Sequence, residues 1–133
     1  MEISKYAGLF HDGSLIDIQH IADKITLSMK SAEIDEDDIH DEIILSKDDR
    51  IQGKLHLGGI KKITFDDQIF RGKLTKHYDK GRIFDFEMTK NSARLAIIWI
   101  NFPPKPEVDE FSVITLEAEK FWWENIPNIK YFY

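Results

Sequence analysis

The chain contains no cysteine among its 133 residues. It therefore has no disulfide, no thiolate nucleophile and no zinc site built on thiolates. No apolar run approaches the ~20 residues that a membrane-spanning helix needs. Residues 1–13 also lack the basic start and the long apolar core of a signal peptide. These absences predict a cytoplasmic protein of a reducing compartment that does not engage a membrane.

The apolar content is that of one folded domain spanning residues 1–133. Hydrophobic residues make up 42% of the chain and aromatic residues 12%, which is enough to fill a core and argues against a disordered chain. A domain of this size buries roughly two-thirds of the surface that its unfolded chain exposes.

The net charge of −6 is unevenly divided along the chain. Residues 1–49 carry 4 Lys and Arg against 13 Asp and Glu, a net of −9, whereas residues 50–82 carry 9 against 3, a net of +6. Residues 83–133 add a net of −3. Phosphate binding needs a concentrated positive surface, so the overall acidity argues against nucleic acid as the main partner. The basic stretch 50–82 nevertheless leaves nucleic acid open as a partner.

The longest nearly unbroken apolar stretch is ARLAIIWINF, residues 93–102. In a strand, Ile97 and Trp99 point to one face and Ile98 and Ile100 to the other. A strand that is apolar on both faces is typically covered on both sides, and the β-branched run favours a strand over a helix. We therefore expect the central strand of a sheet here, with these four side chains largely buried.

Turn signals recur at spacings of roughly 8–14 residues, and no long segment has helical periodicity. This pattern predicts an all-β domain, an antiparallel meander of about eight short strands that forms a sandwich or a barrel, with at most one or two short helical turns. The clearest hairpin pairs residues 15–21 with 25–31. Ile16, Ile18 and His20 are expected to share one face of its first arm.

Other segments carry weaker signals. They predict an edge strand within 1–10 and a short strand at 43–46. Further strands are expected at 51–57 and 60–65, divided by a glycine pair, and a hairpin should join 69–76 with 82–88. The last predicted strand, 111–117, either continues to 125 or gives way to a helical turn.

His11 and Asp12 stand on a predicted turn that Gly13 allows. A His beside an Asp is a candidate general base or metal ligand, with His20 as a second ligand. Adjacent side chains on a strand point to opposite faces, so the pair converges only if the backbone is irregular. We favour the competing interpretation, in which Asp12 and Gly13 form the turn and His11 caps or packs. It assigns no catalytic residue, metal or cofactor.

The most biased segment is EIDEDDIHDE, residues 33–42, with seven carboxylates in ten residues. It fails as an EF-hand loop because His40 stands where that loop requires Gly. A solvated loop, a weak cation site and a surface for a basic partner are the three interpretations. We predict the third. The predicted partner-binding residues are Asp35, Glu36, Asp37, Asp38, Asp41, Glu42, Trp122 and Trp123.

Two further patterns concern aromatic and basic side chains. Trp122 and Trp123 point to opposite faces if they lie on a strand, so one of them faces outward, and exposed aromatics mark contact surfaces. Burial is the alternative. Arg71, Lys73 and Thr75 share one face of a predicted strand and resemble a phosphate-tracking stripe. The alternative is the ordinary solvated face of a sheet.

The sequence Phe10-His11-Asp12 followed by residues 15–18, and more loosely residues 123–127, resembles a group of small bacterial domains. These are immunity-like proteins and uncharacterised domains found near polymorphic toxins. The resemblance implies an all-β domain that works by binding, and no catalytic residues come with it.

The sequence therefore predicts a non-enzymatic protein-binding module, of an immunity-like kind, whose acidic loop covers a basic site on a protein partner. The first alternative is a small-ligand-binding barrel with inward aromatics such as Trp99, Phe84 or Phe86. The second is a metal-dependent hydrolase that uses the histidine–aspartate turn. A homodimer is left open.

Overall fold

The computed structural model describes residues 3–35, 37, 39, 43–76, 78–101 and 110–127. Of these described residues, 59% lie in strands and 8% in helix, which confirms the all-β prediction. The described elements are a 3-10 helix, Ile3–Phe10, and the strands β1 (Ser14–Ile21), β2 (Lys24–Lys30), β3 (Gln52–Phe65), β4 (Gln68–Ile69), β5 (Lys80–Met88), β6 (Ser92–Ile100) and β7 (Glu110–Asn125).

Six of these strands close into an antiparallel barrel. They follow the order β2-β1-β5-β6-β7-β3, and β2 pairs again with β3 to complete the ring. The extra strand β4 folds back on the end of β3. Of the two predicted architectures, sandwich and barrel, the protein adopts the barrel. Closure lets each strand pair on both sides without a second sheet.

Side chains fill the barrel. Leu27 lies opposite Leu55 and Leu95 opposite Ile114, and none of the four is more than 1% exposed. Fully burying an aliphatic side chain of this size stabilises a protein by about 1.5–3 kcal/mol. The interior is therefore a packed hydrophobic core to which all six strands contribute.

Strand β6 pairs with β5 on one side and β7 on the other. Every strand of the closed ring has two neighbours, so the prediction of one central strand with weaker flanking strands does not apply to this architecture. Its inward residues Ile97 and Trp99 are 0% and 1% exposed. Its outward residues Ile98 and Ile100 are only half-buried. The expectation that both faces are covered is right for the inner face and wrong for the outer one, because a barrel has a single layer of strands.

The 3-10 helix occupies the stretch predicted as an edge strand, and that prediction is wrong. Ile3, Ala7 and Phe10 are its buried residues. Phe10 is fully buried and meets Phe86 and Trp123 edge-to-face, with ring centroids 5.4 and 5.9 Å apart. The helix thus packs on the barrel through this aromatic cluster.

Three strands each contain one extra residue, a β-bulge, that has no partner residue on the neighbouring strand. These residues are Ile16 in β1, Lys61 in β3 and Phe84 in β5. Each such bulge moves the following side chains to the opposite face. As a result, Leu15 and Ile18 share the interior, so the predicted alternation is wrong at the start of β1, whereas Ile18 and His20 share a face as predicted.

Several predicted boundaries change. Residues 43–46 form no strand, the predicted strand 69–76 shrinks to Gln68–Ile69, and β3 and β7 each run as one long strand. Asp66 and Asp67 both have positive φ (52° and 66°), as the tight turns of hairpins require, so β4 returns directly onto β3. At φ +67°, Gly59 bends β3 without ending it.

Replacing Trp99 by Ala should destabilise the protein by about 3–5 kcal/mol, because it empties a fully buried site. It also removes the buried hydrogen bond that the indole Nε1 donates to Ser112 Oγ over 3.0 Å. Urea denaturation followed by circular dichroism measures the change. Trp122→Ala is the control, since this side chain is 41% exposed and should cost about 1 kcal/mol or less. Equal losses for the two variants would contradict the assignment of Trp99 to the core.

Candidate functional site

The turn between the 3-10 helix and β1 brings His11 and Asp12 together. Asp12 has a positive φ of 67°, which Asp tolerates better than most residues. His11 Nε2 lies 3.6 Å from Asp12 Oδ2. The irregular backbone that convergence of these neighbours requires is therefore present.

Strand β5 holds both side chains in place. Arg82 donates a hydrogen bond to Asp12 Oδ1 over 2.6 Å, and His11 Nδ1 donates to the backbone carbonyl of Phe84. Because a carbonyl only accepts, Nδ1 carries the proton and Nε2 is the acceptor in the neutral ring. The hydrogen bond from Arg82 lowers the pKa of Asp12 below its ordinary value of 3.8.

His20, the predicted second ligand, is not part of this network. Its Nδ1 accepts the backbone N–H of Leu74 over 2.8 Å. Among the residues that the structure describes, no three His, Asp or Glu side chains are placed to hold a metal ion. The turn is thus a surface charge network, and it lacks the third ligand on which the hydrolase hypothesis depends.

Beside this network, apolar side chains lie on the outside of the barrel. Phe84 and Phe111 are each 51% exposed and meet edge-to-face with centroids 5.9 Å apart. Ile98 lies between them on β6, directly opposite both Arg82 and Phe111. We call Phe84, Ile98 and Phe111 the outer aromatic face. The His11 ring packs on its edge, 5.5 Å from the ring of Phe84.

Residues 33–42, the acidic segment, are attached to the barrel by isoleucines. Ile34, Ile39 and the following Ile43 are 6%, 8% and 9% exposed and belong to the hydrophobic core. The described carboxylates of the segment point to solvent; they are Glu33, Asp35 and Asp37. The predicted residues Glu36, Asp38, Asp41 and Glu42 lie outside the described residues.

The described carboxylates surround a cleft of about 640 Å³, lined by Glu33, Ile34, Asp35, Asp37 and Asp49. Its one described side-chain hydrogen bond runs from the backbone N–H of Asp37 to Asp35 Oδ1, over 3.1 Å. In the described part of the chain, none of these four carboxylates forms an ion pair. The cleft therefore concentrates negative charge that its neighbours leave unneutralised.

The two adjacent tryptophans face opposite ways, as predicted. Trp122 is 41% exposed, stacks on His56 with centroids 5.2 Å apart, and has Lys120 Nζ 5.3 Å from its ring centroid. Trp123 is partly buried against the core, and its Nε1 donates to Asn125 Oδ1 over 3.1 Å. Of these two predicted binding residues, Trp122 is the one whose side chain is exposed to solvent.

The basic stretch of the sequence is dispersed around the barrel. Arg71, Lys73 and Thr75 do not share a strand face, because residues 70–76 form no strand, and the predicted stripe is wrong. Arg82 pairs with Asp12 on the outside of β5. Lys54, on β3, lies opposite Glu124 of β7. A continuous phosphate-tracking strand is therefore not formed by these residues.

Sequence reasoning missed the outer aromatic face. Phe84 was expected to face inward, but the bulge at this residue turns it outward. Phe86, two positions on, is 3% exposed inside the barrel with Trp99. The three aromatics proposed to line a ligand cavity therefore do not do so together. No local signal marks residue 84 as the bulge, so the pattern by itself was insufficient.

The Asp12–Arg82 contact should make stability depend on pH in the acid range. A carboxyl with a lowered folded-state pKa stabilises the fold above its unfolded pKa, and this contribution is lost as the pH falls through the folded value. Arg82→Gln should therefore lower the melting temperature slightly at pH 7, and this difference should shrink as the pH falls through the lowered folded-state pKa of Asp12. Lys47→Gln, which removes an exposed cation that forms no ion pair in the described chain, corrects for general charge effects. A difference that persists at the lowest pH would contradict this account.

The one described helix, of eight residues, is too short to cross a membrane. Comparisons with family models, with curated proteins and with solved structures each return no match. The resemblance of the opening motif to immunity-like domains therefore stays a prediction.

Proposed function

We propose that the protein is a non-enzymatic module that binds a protein partner with a basic surface, and that the acidic segment meets this partner. One observation carries the proposal. Glu33, Asp35 and Asp37 are exposed, converge with Asp49 on one cleft, and have no ion pair in the described chain.

The segment is attached to the fold at several points. Its buried isoleucines, Ile34 and Ile39, pack in the core, and the backbone N–H of Ile34 donates to the carbonyl of Asp49 over 2.8 Å. Like charges kept close together repel, which costs stability. Cationic side chains of a partner would relieve that repulsion and would be attracted from a distance.

An internal role for the acidic charge is the competing explanation. It requires ion pairs between the segment and the basic stretch 50–82. In the described residues, Arg50 of that stretch pairs with Asp48, and Arg82 pairs with Asp12. Neither of these pairs involves Glu33, Asp35 or Asp37, which supports an external partner for these described carboxylates.

The outer aromatic face supplies the apolar part of the proposed contact. A hydrogen bond joins the chain beside this face to the chain beside the acidic segment: the N–H of Ala32, next to the segment, donates over 3.3 Å to the carbonyl of Leu9, two residues before the His11 that packs on Phe84. Exposed aromatics beside an arginine held by a salt bridge are typical of interface centres. In a symmetric dimer the acidic segments would tend to repel each other, so a different, basic chain is the better occupant.

Immunity-like action and a cytoplasmic location remain parts of this proposal, on the sequence grounds given above. The small-ligand barrel receives less support, because Trp99 and Phe86 belong to the packed core and Phe84 lies outside it. The hydrolase receives less support because His20 is bonded elsewhere.

Neutralising the acidic segment should slow association without unfolding the protein. The variant changes Asp35, Glu36, Asp37 and Asp38 to Asn or Gln. The probe is a Lys- and Arg-containing peptide selected on the wild type from a displayed library of random peptides. Its association rate, measured by stopped-flow fluorescence, should fall about tenfold at low ionic strength, and the difference should shrink as salt screens the charges.

The matched control removes four exposed carboxylates elsewhere on the surface, at Asp23, Asp67, Glu87 and Glu119. It should change the association rate much less, because these residues lie outside the segment. A marked fall in melting temperature with unchanged association would show that the segment pairs internally. Equal slowing by the control would show an effect of net charge rather than of a site.

Removing the outer aromatic face should weaken binding mainly through faster dissociation. Phe84→Ser with Phe111→Ser should raise the Kd of the same peptide about tenfold or more. The free energy of unfolding should change by about 1 kcal/mol or less per site, because both rings are half exposed. The control, Ile21→Ser with Ile69→Ser, removes side chains that are 71% and 61% exposed. Unchanged dissociation of the aromatic variant would exclude this face from the contact.

A further inference from the structure

A second cleft, of about 620 Å³, lies away from the acidic segment. One wall is the bulged part of β3, and the facing wall is the chain from β4 to Gly72. The end of β1 contributes His20, and the β1–β2 turn contributes Ala22 and Asp23. Pockets of about 300–1,000 Å³ are the usual size for small-molecule ligands. The cleft is therefore large enough for an organic molecule.

The bulge in β3 brings two cations into this cleft. The pairing with β7 passes from Ile60 opposite Ala118 to Lys62 opposite Glu117, so Lys61 is the unmatched residue. Consecutive residues of a regular strand point to opposite faces, whereas a bulge re-aims one of them. Lys61 and Lys62 accordingly both line the cleft, and both are exposed.

The facing wall adds a third cation and open backbone. Arg71 follows β4 and is exposed. Gly72 has φ +123° and no heavy atom within 4 Å of the position where a Cβ would stand. A ligand can therefore approach the main chain closely at this point.

His20 adds a neutral donor. Its Nδ1 accepts the N–H of Leu74 over 2.8 Å, so in the neutral ring the proton is on Nε2. His20 lines the cleft, and its Nε2–H is then the ring group that can donate a hydrogen bond to a ligand there. The same hydrogen bond fixes the ring relative to Leu74, which is 1% exposed.

The charges of this cleft are not neutralised by contact. In the described chain, Lys61, Lys62 and Arg71 have no carboxylate oxygen within 4.0 Å. Asp23 and Glu117 also line the cleft, so the three cations exceed the carboxylates by one. On a chain of net charge −6, this is a local positive site.

We propose that this cleft binds an organic phosphate. Three cations and an imidazole N–H suit the several oxygens of a phosphate group better than the two of a carboxylate. Ile69, 61% exposed, and the half-buried Phe70 offer an apolar surface to the organic part of the ligand. The site is independent of the protein-binding surface proposed above.

The test is titration of the 15N-labelled protein with ADP, inorganic phosphate and adenosine, followed by NMR. ADP should bind saturably and shift the amide signals of Lys61, Lys62 and Gly72. Inorganic phosphate should shift the same signals with a higher Kd, and adenosine should leave them nearly unchanged. The double variant Lys61→Gln/Arg71→Gln should raise the Kd for ADP about tenfold or more.

The control variant Lys47→Gln/Lys90→Gln removes two exposed lysines outside the cleft and should leave the Kd within about twofold. Lys62→Gln is a second cleft variant for use if the double variant does not fold. Absence of saturable ADP binding, equal binding of adenosine, or equal loss in the control would overturn the proposal. Binding of oligothymidylate that tightens with its length would identify a nucleic-acid surface instead and would also overturn it.

Discussion

The pairing of β2 with β3 is the contact on which the barrel depends. Seven consecutive residue pairs, from Lys24 opposite Gly58 to Lys30 opposite Gln52, join these strands. Without them the remaining order would be an open sheet, with two unpaired edges and an apolar face in water. Leu27 and Leu55 lie opposite each other at this seam and are almost fully buried. Closing the ring and completing the core are therefore one event.

The parts of the fold that sequence reasoning predicted depend on neighbours in the chain. The β1–β2 hairpin, the turn at Asp66 and Asp67, and the apolar strand β6 all have local signals. Barrel closure has no local signal, because the strands that close it, β2 and β3, are separated by a stretch that contains no described strand. Lys30 and Gln52 pair across that stretch. Bulges escape prediction for a related reason: where an extra residue falls is determined by the register with a distant strand.

The same distinction applies to the candidate sites. The acidic segment was identified from composition, because seven carboxylates in ten residues leave few positions for a buried strand. The outer aromatic face and the cationic cleft each depend on one bulge, at Phe84 and at Lys61. Alternation alone places Phe84 inside and gives Lys61 and Lys62 opposite directions. Each of these two errors follows from one inserted residue in the strand concerned.

The length of β7 has a consequence for synthesis on the ribosome. This strand alone supplies neighbours for both β6 and β3, for example Asn125 for Gly53. β3 leaves the ribosome roughly 60 residues before β7, which at about 5–20 residues per second is on the order of several seconds. During that interval one edge of β3 has no strand to pair with, beside Leu55 and Leu57. Until β7 emerges, this open edge is a site at which the nascent chain can pair with other chains and aggregate.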